Sequence, residues 1–182
     1  MVGAARERRS AVRLRGALGL SHPYVGIIHD ARIYIGRVMA DLDPAGIGRD
    51  MMFVHDGQFG FSLFPFLIHG LVAHLGPGAA ARIVSGLGCL CSFAAATILA
   101  MQLVKGRAVW LMLVFACVLP HAYGSQVFQI AETMAVPRPF AEAAVLLSLA
   151  ALISGRPRTA IALVLVGAAL HPIMALAAAQ AD

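Results

Sequence analysis

From Ile83 to Val104 the chain reads IVSGLGCLCSFAAATILAMQLV, twenty-two residues without a formal charge. At about 1.5 Å of rise per residue, a helix of that length crosses a hydrocarbon core of about 30 Å. A soluble domain shelters such a segment only inside a large core. Composition argues against one: 60% of the 182 residues are hydrophobic and 13% are charged, where soluble domains carry about 45–50% and about 25%. Mean hydropathy is +0.82. The first expectation is a membrane protein.

Three further apolar runs follow. Ala108 to Tyr123 is separated from the first by KGR, and the pair Ala141 to Ile153 and Thr159 to Leu176 is separated by SGRPR. Each is short for a span, but a hairpin accounts for both members of a pair. The expected fold is an all-α polytopic transmembrane bundle with about four spanning helices, at 83–104, 108–123, 141–153 and 159–176. The basic links Lys105/Arg107 and Arg156/Arg158 face the cytoplasm by the positive-inside rule. The turns 105–107 and 154–158 are therefore expected on the inner side of a multi-pass protein of the cell membrane. Each returning helix carries a proline–histidine pair, Pro120-His121 and His171-Pro172; this echo is weak, because membrane thickness imposes a similar period on any two hairpins.

Residues 59–75, FGFSLFPFLIHGLVAHL, open the transmembrane region 59–182 and hold Pro65, His69 and His74. The segment either spans or lies in the outer interface as an interfacial or re-entrant helix; phenylalanines beside histidines suit the interface. Residues 1–28 form a basic flank with Arg6, Arg8, Arg9, Arg13 and Arg15, read as cytoplasmic. Arg13 and Arg15 interrupt the apolar stretch a signal peptide needs. Nucleic acid is not an expected partner, since a basic face needs a soluble fold to carry it; the lipid bilayer is. Cys89, Cys91 and Cys117 lie in apolar runs. The first two point about 200° apart on a helix and cannot share a metal.

Residues 29–58 are expected to be a polar loop with an acidic cluster: Asp30, Asp41, Asp43, Asp50 and Asp56, with His29, His55, Arg32, Arg37 and Arg49. Carboxylates beside a bilayer can act as a general base or hold a divalent cation against a phosphate. The alternative is a solvated loop. The two His-Asp pairs also suggest a metal phosphohydrolase, but such sites draw ligands from several helices of a soluble bundle. An outer Asp30 needs a span before it that 1–28 lacks, so the chain reads as a piece of a larger polytopic protein, or else its first third is cytoplasmic.

The second polar island is QIAETMAVPRPFAEA, residues 129–143. Pro139 suits the first turn of the following helix, and Glu142 in that turn complements the helix dipole. Glu132 and Arg138 lie in the loop before it, as a salt bridge holding the loop against the membrane or as contacts for an anionic substrate. His121 and His171 fall in the outer half of the bilayer, where polar side chains face protein or a water-filled cavity. Pro172 denies a hydrogen bond to the Ala168 carbonyl, and Pro120 does the same to Ala116.

HDARIY in a first outer loop, basic cytoplasmic turns, PRPFAEA leading to GRPR, and an HP helix together resemble bacterial polytopic proteins of the GT-C glycosyltransferase type, over residues 25–178. The resemblance lies in layout, and no single motif is diagnostic. It implies transfer of a sugar from a lipid-phosphate donor at the outer face. Asp30 would be the catalytic residue, as base or as partner to a divalent cation, and Arg138 would contact the donor phosphate, with Glu132, His121 and His171 beside the substrate. The chain departs from the pattern in lacking a first span and a second acid beside Asp30. The rival reading is a non-enzymatic membrane module or transporter fragment, for which Ser85, Gly88 and Ser92 allow close helix approach. Transport would call for a polar mid-membrane residue, and 83–104 offers only Ser92 and Thr97.

Overall fold

The computed structural model of the chain describes residues 23–55, 61–114, 122–123, 128–129 and 131–174. They form α1 (Asp30–Leu42), a 3-10 turn (Ile47–Arg49), α2 (Met51–Val54), α3 (Phe64–Leu75), α4 (Pro77–Leu103), α5 (Ala108–Leu113), α6 (Arg138–Ile153) and α7 (Pro157–Leu170). A two-residue antiparallel pair, β1 (Ala122–Tyr123) with β2 (Phe128–Gln129), is the strand structure among the described residues. The fold is helical, and α4 alone among the described helices is long and apolar enough to cross a membrane; α3 and α7 are shorter apolar helices.

The stretch expected to be a polar loop folds into α1, the 3-10 turn and α2. The reason is a periodicity that the charges obscure: Ala31, Ile35 and Val38 recur at helical spacing and are buried, while Asp30, Tyr34, Arg37 and Asp41 line the neighbouring face. Most of the acidic cluster then has local work. Asp41 pairs with Arg37 at 2.8 Å, Asp43 accepts the Gly46 N–H at 3.0 Å, and Asp50 caps α2 by accepting the Met52 N–H at 2.9 Å. Asp56 lies outside the described residues.

α4 begins at Pro77 rather than Ile83, because Arg82 interrupts the apolar run without interrupting the helix: it is exposed, with its guanidinium Nε over the Gly78 carbonyl at 3.4 Å. Gly76, at φ 75°, supplies the left-handed residue that turns α3 directly into α4. Ile35, Phe64, Ile68, Val72, Val84 and Val136 form the core where α1, α3 and the first half of α4 meet.

Further along, α4 packs on α6 through Gly88, where an added Cβ would stand 3.1 Å from the Pro139 Cβ. α6 closes on a Schellman turn, with the Gly155 N–H bonded to the Leu152 carbonyl at 2.9 Å and the Arg156 N–H to the Ala151 carbonyl at 2.8 Å. The turn returns α7 along α6, Gly167 facing Ala144. α7 breaks after Leu170, at His171 before Pro172, and residues 172–174 are again helical; the expected end at 176 lies outside the described residues. Its last carbonyls find donors across the bundle: Ala169 accepts the Leu63 N–H at 2.9 Å and Leu170 accepts the Ser62 hydroxyl at 2.6 Å, satisfying groups a helix end leaves open. At the other end of α6, the Ser154 hydroxyl meets Gln102 Oε1 at 3.2 Å. The two basic turns therefore share one end of the bundle. Large apolar side chains cover the outward faces, including Leu87, Leu90 and Met101 of α4 and Ile161, Leu165 and Val166 of α7.

Candidate functional site

At the opposite end of α6, one guanidinium joins residues that are far apart in sequence. Arg138 Nη1 donates to Asp30 Oδ2 at 2.6 Å, across 108 positions. Nη2 donates to Glu132 Oε2 at 2.8 Å, and Nε approaches both Glu132 oxygens at 3.2 and 3.0 Å. The side chains of Glu132 and Arg138 are 3% and 9% exposed, that of Asp30 41%. The cluster is therefore a buried, forked ion pair with one acid reaching the surface, and it carries one net negative charge.

Each member is fixed by its local backbone. Asp30 occupies the first turn of α1, where a carboxylate complements the positive end of the helix dipole. Arg138 opens α6 between Pro137 and Pro139, both fully buried. The residues just before the two acids, His29 (φ 45°) and Ala131 (φ 53°), are the two non-glycine residues with positive φ among those described. A side chain is strained there by about 1–3 kcal/mol, and such strain persists only where the surroundings impose it. Ala131 is held from several sides: its N–H donates to Glu142 Oε2 at 3.3 Å, and the Cys89 thiol donates to the Ala131 and Glu132 carbonyls at 3.4 and 3.6 Å. The segment 131–139, expected to be a loop at the outer mouth, is mostly buried.

Tyr34 stands one turn along α1 from Asp30, its ring edge-on to Phe64 at 5.4 Å. Burial pushes its phenol above its ordinary pKa; the charge of Arg138 works against that rise, and Asp30 and Glu132 reinforce it. His171, which caps the end of α7, lies within the fields of Arg138 and Asp30. Three of the five site residues expected from the sequence, Asp30, Glu132 and Arg138, are thus brought into contact, while His171 bonds locally to the Met174 N–H. His121, like Cys117, lies outside the described residues.

A divalent cation does not fit the geometry of this cluster. The position between the two carboxylates belongs to the Arg138 guanidinium, and among the described residues no three His, Cys, Asp or Glu side chains converge as ligands. Arg138 is bonded to two carboxylates, Asp30 and Glu132. Sequence reasoning left Tyr34 without a role; its one signal was the spacing of four residues from Asp30. Glu142, expected to complement the dipole from the first turn, sits a turn later and reaches Ala131 and Ser92 instead.

Comparison of the chain with protein-family models, with curated proteins and with solved structures gives no match.

Proposed function

We propose that the chain is a multi-pass protein of the cell membrane, with α4, α6 and α7 among its spans, acting as a GT-C-type glycosyltransferase on a lipid-phosphate sugar donor at the outer face. The observation that carries this reading is the placement of a half-exposed carboxylate, Asp30, on a buried guanidinium, at the end of α6 remote from the basic turns. By the positive-inside rule those turns are cytoplasmic, which makes the Asp30 end the outer one. Gly88, level with Pro139, lies roughly 22 Å along α4 from Leu103 at 1.5 Å per residue, so the cluster sits near the outer edge of the hydrocarbon. The outward apolar faces of α4 and α7 are those lipid would cover.

In this reading Asp30 takes the proton of an acceptor hydroxyl as its oxygen bonds to the anomeric carbon. The bond from that carbon to the donor phosphate breaks, and the lipid phosphate leaves with the electron pair. Arg138 holds Asp30 in place, and Glu132 holds Arg138. A geometric preference for one carboxylate orientation is what a general base needs.

The competing reading is a membrane module in which the ion cluster only packs helices; the small-residue contacts Gly88–Pro139 and Gly167–Ala144 favour it. Two measurements separate them. In membranes containing the full chain, Asp30→Asn abolishes transfer of labelled sugar from a lipid-phosphate donor while leaving the protein folded; unchanged transfer removes Asp30 from catalysis. In a cysteine-free background, His29→Cys reacts with an impermeant maleimide from outside and Lys105→Cys and Arg156→Cys from inside. Labelling of position 29 from the cytoplasm sinks the transferase reading and leaves the packing one standing.

A further inference from the structure

Between α4, α5 and α6 the packing leaves a cavity of about 150 Å³ walled by Phe93, Ala96, Leu99, Leu113 and Leu146, with Glu142 also on its wall. Its polarity is lopsided. The Ser92 hydroxyl is directed to the Pro139 carbonyl at 2.9 Å and reaches Glu142 Oε2 only at 3.5 Å. The Ala131 N–H approaches the same oxygen at 3.3 Å, long for a bond to a charged acceptor, where about 2.7–2.9 Å is usual. Among the described residues Glu142 has no ion-pair partner. A carboxylate beside an apolar cavity is costly to keep charged without a cation, and a positive charge in the cavity is the complement its long contacts leave room for.

The wall also includes the aromatic ring of Phe93. Among the described residues, alanine, leucine and methionine side chains with Ser92 complete the lining. A cavity of this volume holds a group about the size of benzene, which corresponds to a short stretch of alkyl chain. We propose that this cavity binds a single-chain amphiphile bearing a primary ammonium, the nitrogen on Glu142 and the first part of the chain between α4, α5 and α6. A primary ammonium matches better than a quaternary one because a carboxylate oxygen takes N–H donors, of which the quaternary ion has none. The site is separate from Asp30 and does not depend on the transferase reading.

The test uses the full chain in detergent micelles, with octylammonium and 1-octanol as paired probes of equal chain length. Octylammonium raises the thermal midpoint in a saturable way at concentrations where octanol does not. Glu142→Gln weakens the octylammonium response on the order of tenfold, the loss expected when a charged hydrogen-bond partner is neutralised, and leaves the octanol response alone. Ala96→Leu, which fills the cavity, removes the octylammonium response while Glu142 is intact, so a poorly folding Gln variant does not block the result. Equal responses to the two probes, an octylammonium response undiminished in Glu142→Gln, or one that persists in Ala96→Leu, overturn the proposal.

Discussion

Cutting the Arg138 fork one arm at a time separates what holds the fold from what serves the site. Arg138→Leu strips the counter-charge from Glu132, whose side chain is 3% exposed. Breaking a buried pair from one side costs about 3–5 kcal/mol, because the remaining charge is left in a poor solvent. Glu132→Gln leaves Arg138 with Asp30 and falls at the low end, about 3 kcal/mol. Asp30→Asn removes a partner that is 41% exposed; water screens that arm, and the loss is about 0–1 kcal/mol. The double variant Glu132→Gln/Arg138→Leu removes both buried charges and is less destabilised than the sum of the singles by about 1–3 kcal/mol.

The assay is reversible unfolding of the full chain in mixed micelles, followed by circular dichroism, with each variant referred to the unmodified protein. Asp30→Asn then shows near-native stability alongside lost transfer. Arg138→Leu shows both losses. If Asp30→Asn destabilises as much as Glu132→Gln, or if the double variant is additive, the division into a buried holding arm and an exposed working arm is wrong.

Four other outcomes follow from the same geometry. The Tyr34 phenol, raised by burial against the pull of Arg138, stays protonated beyond the ordinary range near pH 10. Its contribution to stability is therefore complete below about pH 10 and is lost as pH rises through the raised value; phenolate absorbance should show one late titration that Tyr34→Phe deletes, and no late component refutes it. Ala131→Gly relieves the positive φ but gives up a buried methyl and adds freedom to the unfolded chain, so stability stays within about 1 kcal/mol of the unmodified protein. Ala135→Gly, at a buried position without that φ, lowers stability instead, and equal losses at both positions would dismiss the strain. Gly88→Val drives a branched side chain into the Pro139 ring, 3.1 Å from where its Cβ must sit, and lowers the unfolding midpoint by about 1–3 kcal/mol in equivalent terms. Trp110, the one tryptophan of the chain and 44% exposed, is quenched by brominated acyl chains in vesicles; fluorescence indifferent to bromine places α5 out of the lipid.

How much of this was legible in the sequence depended on whether a signal was local. The uncharged run of α4 shows itself, and so does the start of α6 at Arg138-Pro139, because proline favours the first helical turn. α1 was hidden: its buried stripe is Ala31, Ile35 and Val38, and an alanine is a faint apolar mark among five aspartates. The aspartates at 43 and 50 were indistinguishable from site residues until the backbone N–H groups they cap were placed. Glu132 with Arg138 was readable as a pair, six residues apart. Asp30 with Arg138 was not, because a contact over 108 positions leaves no periodicity to read. The break before Pro172 was legible, because a proline cannot donate within the helix; the donors that the last carbonyls of α7 find at Ser62 and Leu63 were not, since they come from more than a hundred positions away.

Energetics bear on why Asp30 is where it is. The backbone before it holds His29 at φ 45° and ψ −131°, a conformation that is unfavourable by about 1–3 kcal/mol for a residue with a side chain. In return, a half-exposed ion pair gives about 0–1 kcal/mol, and a carboxylate in the first turn of a helix about 0.3–1 kcal/mol. Those gains at most match the middle of the strain, so stability alone gives little reason to prefer this placement. Asp43 and Asp50 make the contrast: they cap their neighbours from φ values of −128° and −62°, with no strain to offset. An acid set at a strained junction, pinned by a buried guanidinium and left partly open to solvent is the arrangement on which the proposed role of Asp30 rests, and the other aspartates of its stretch lack it.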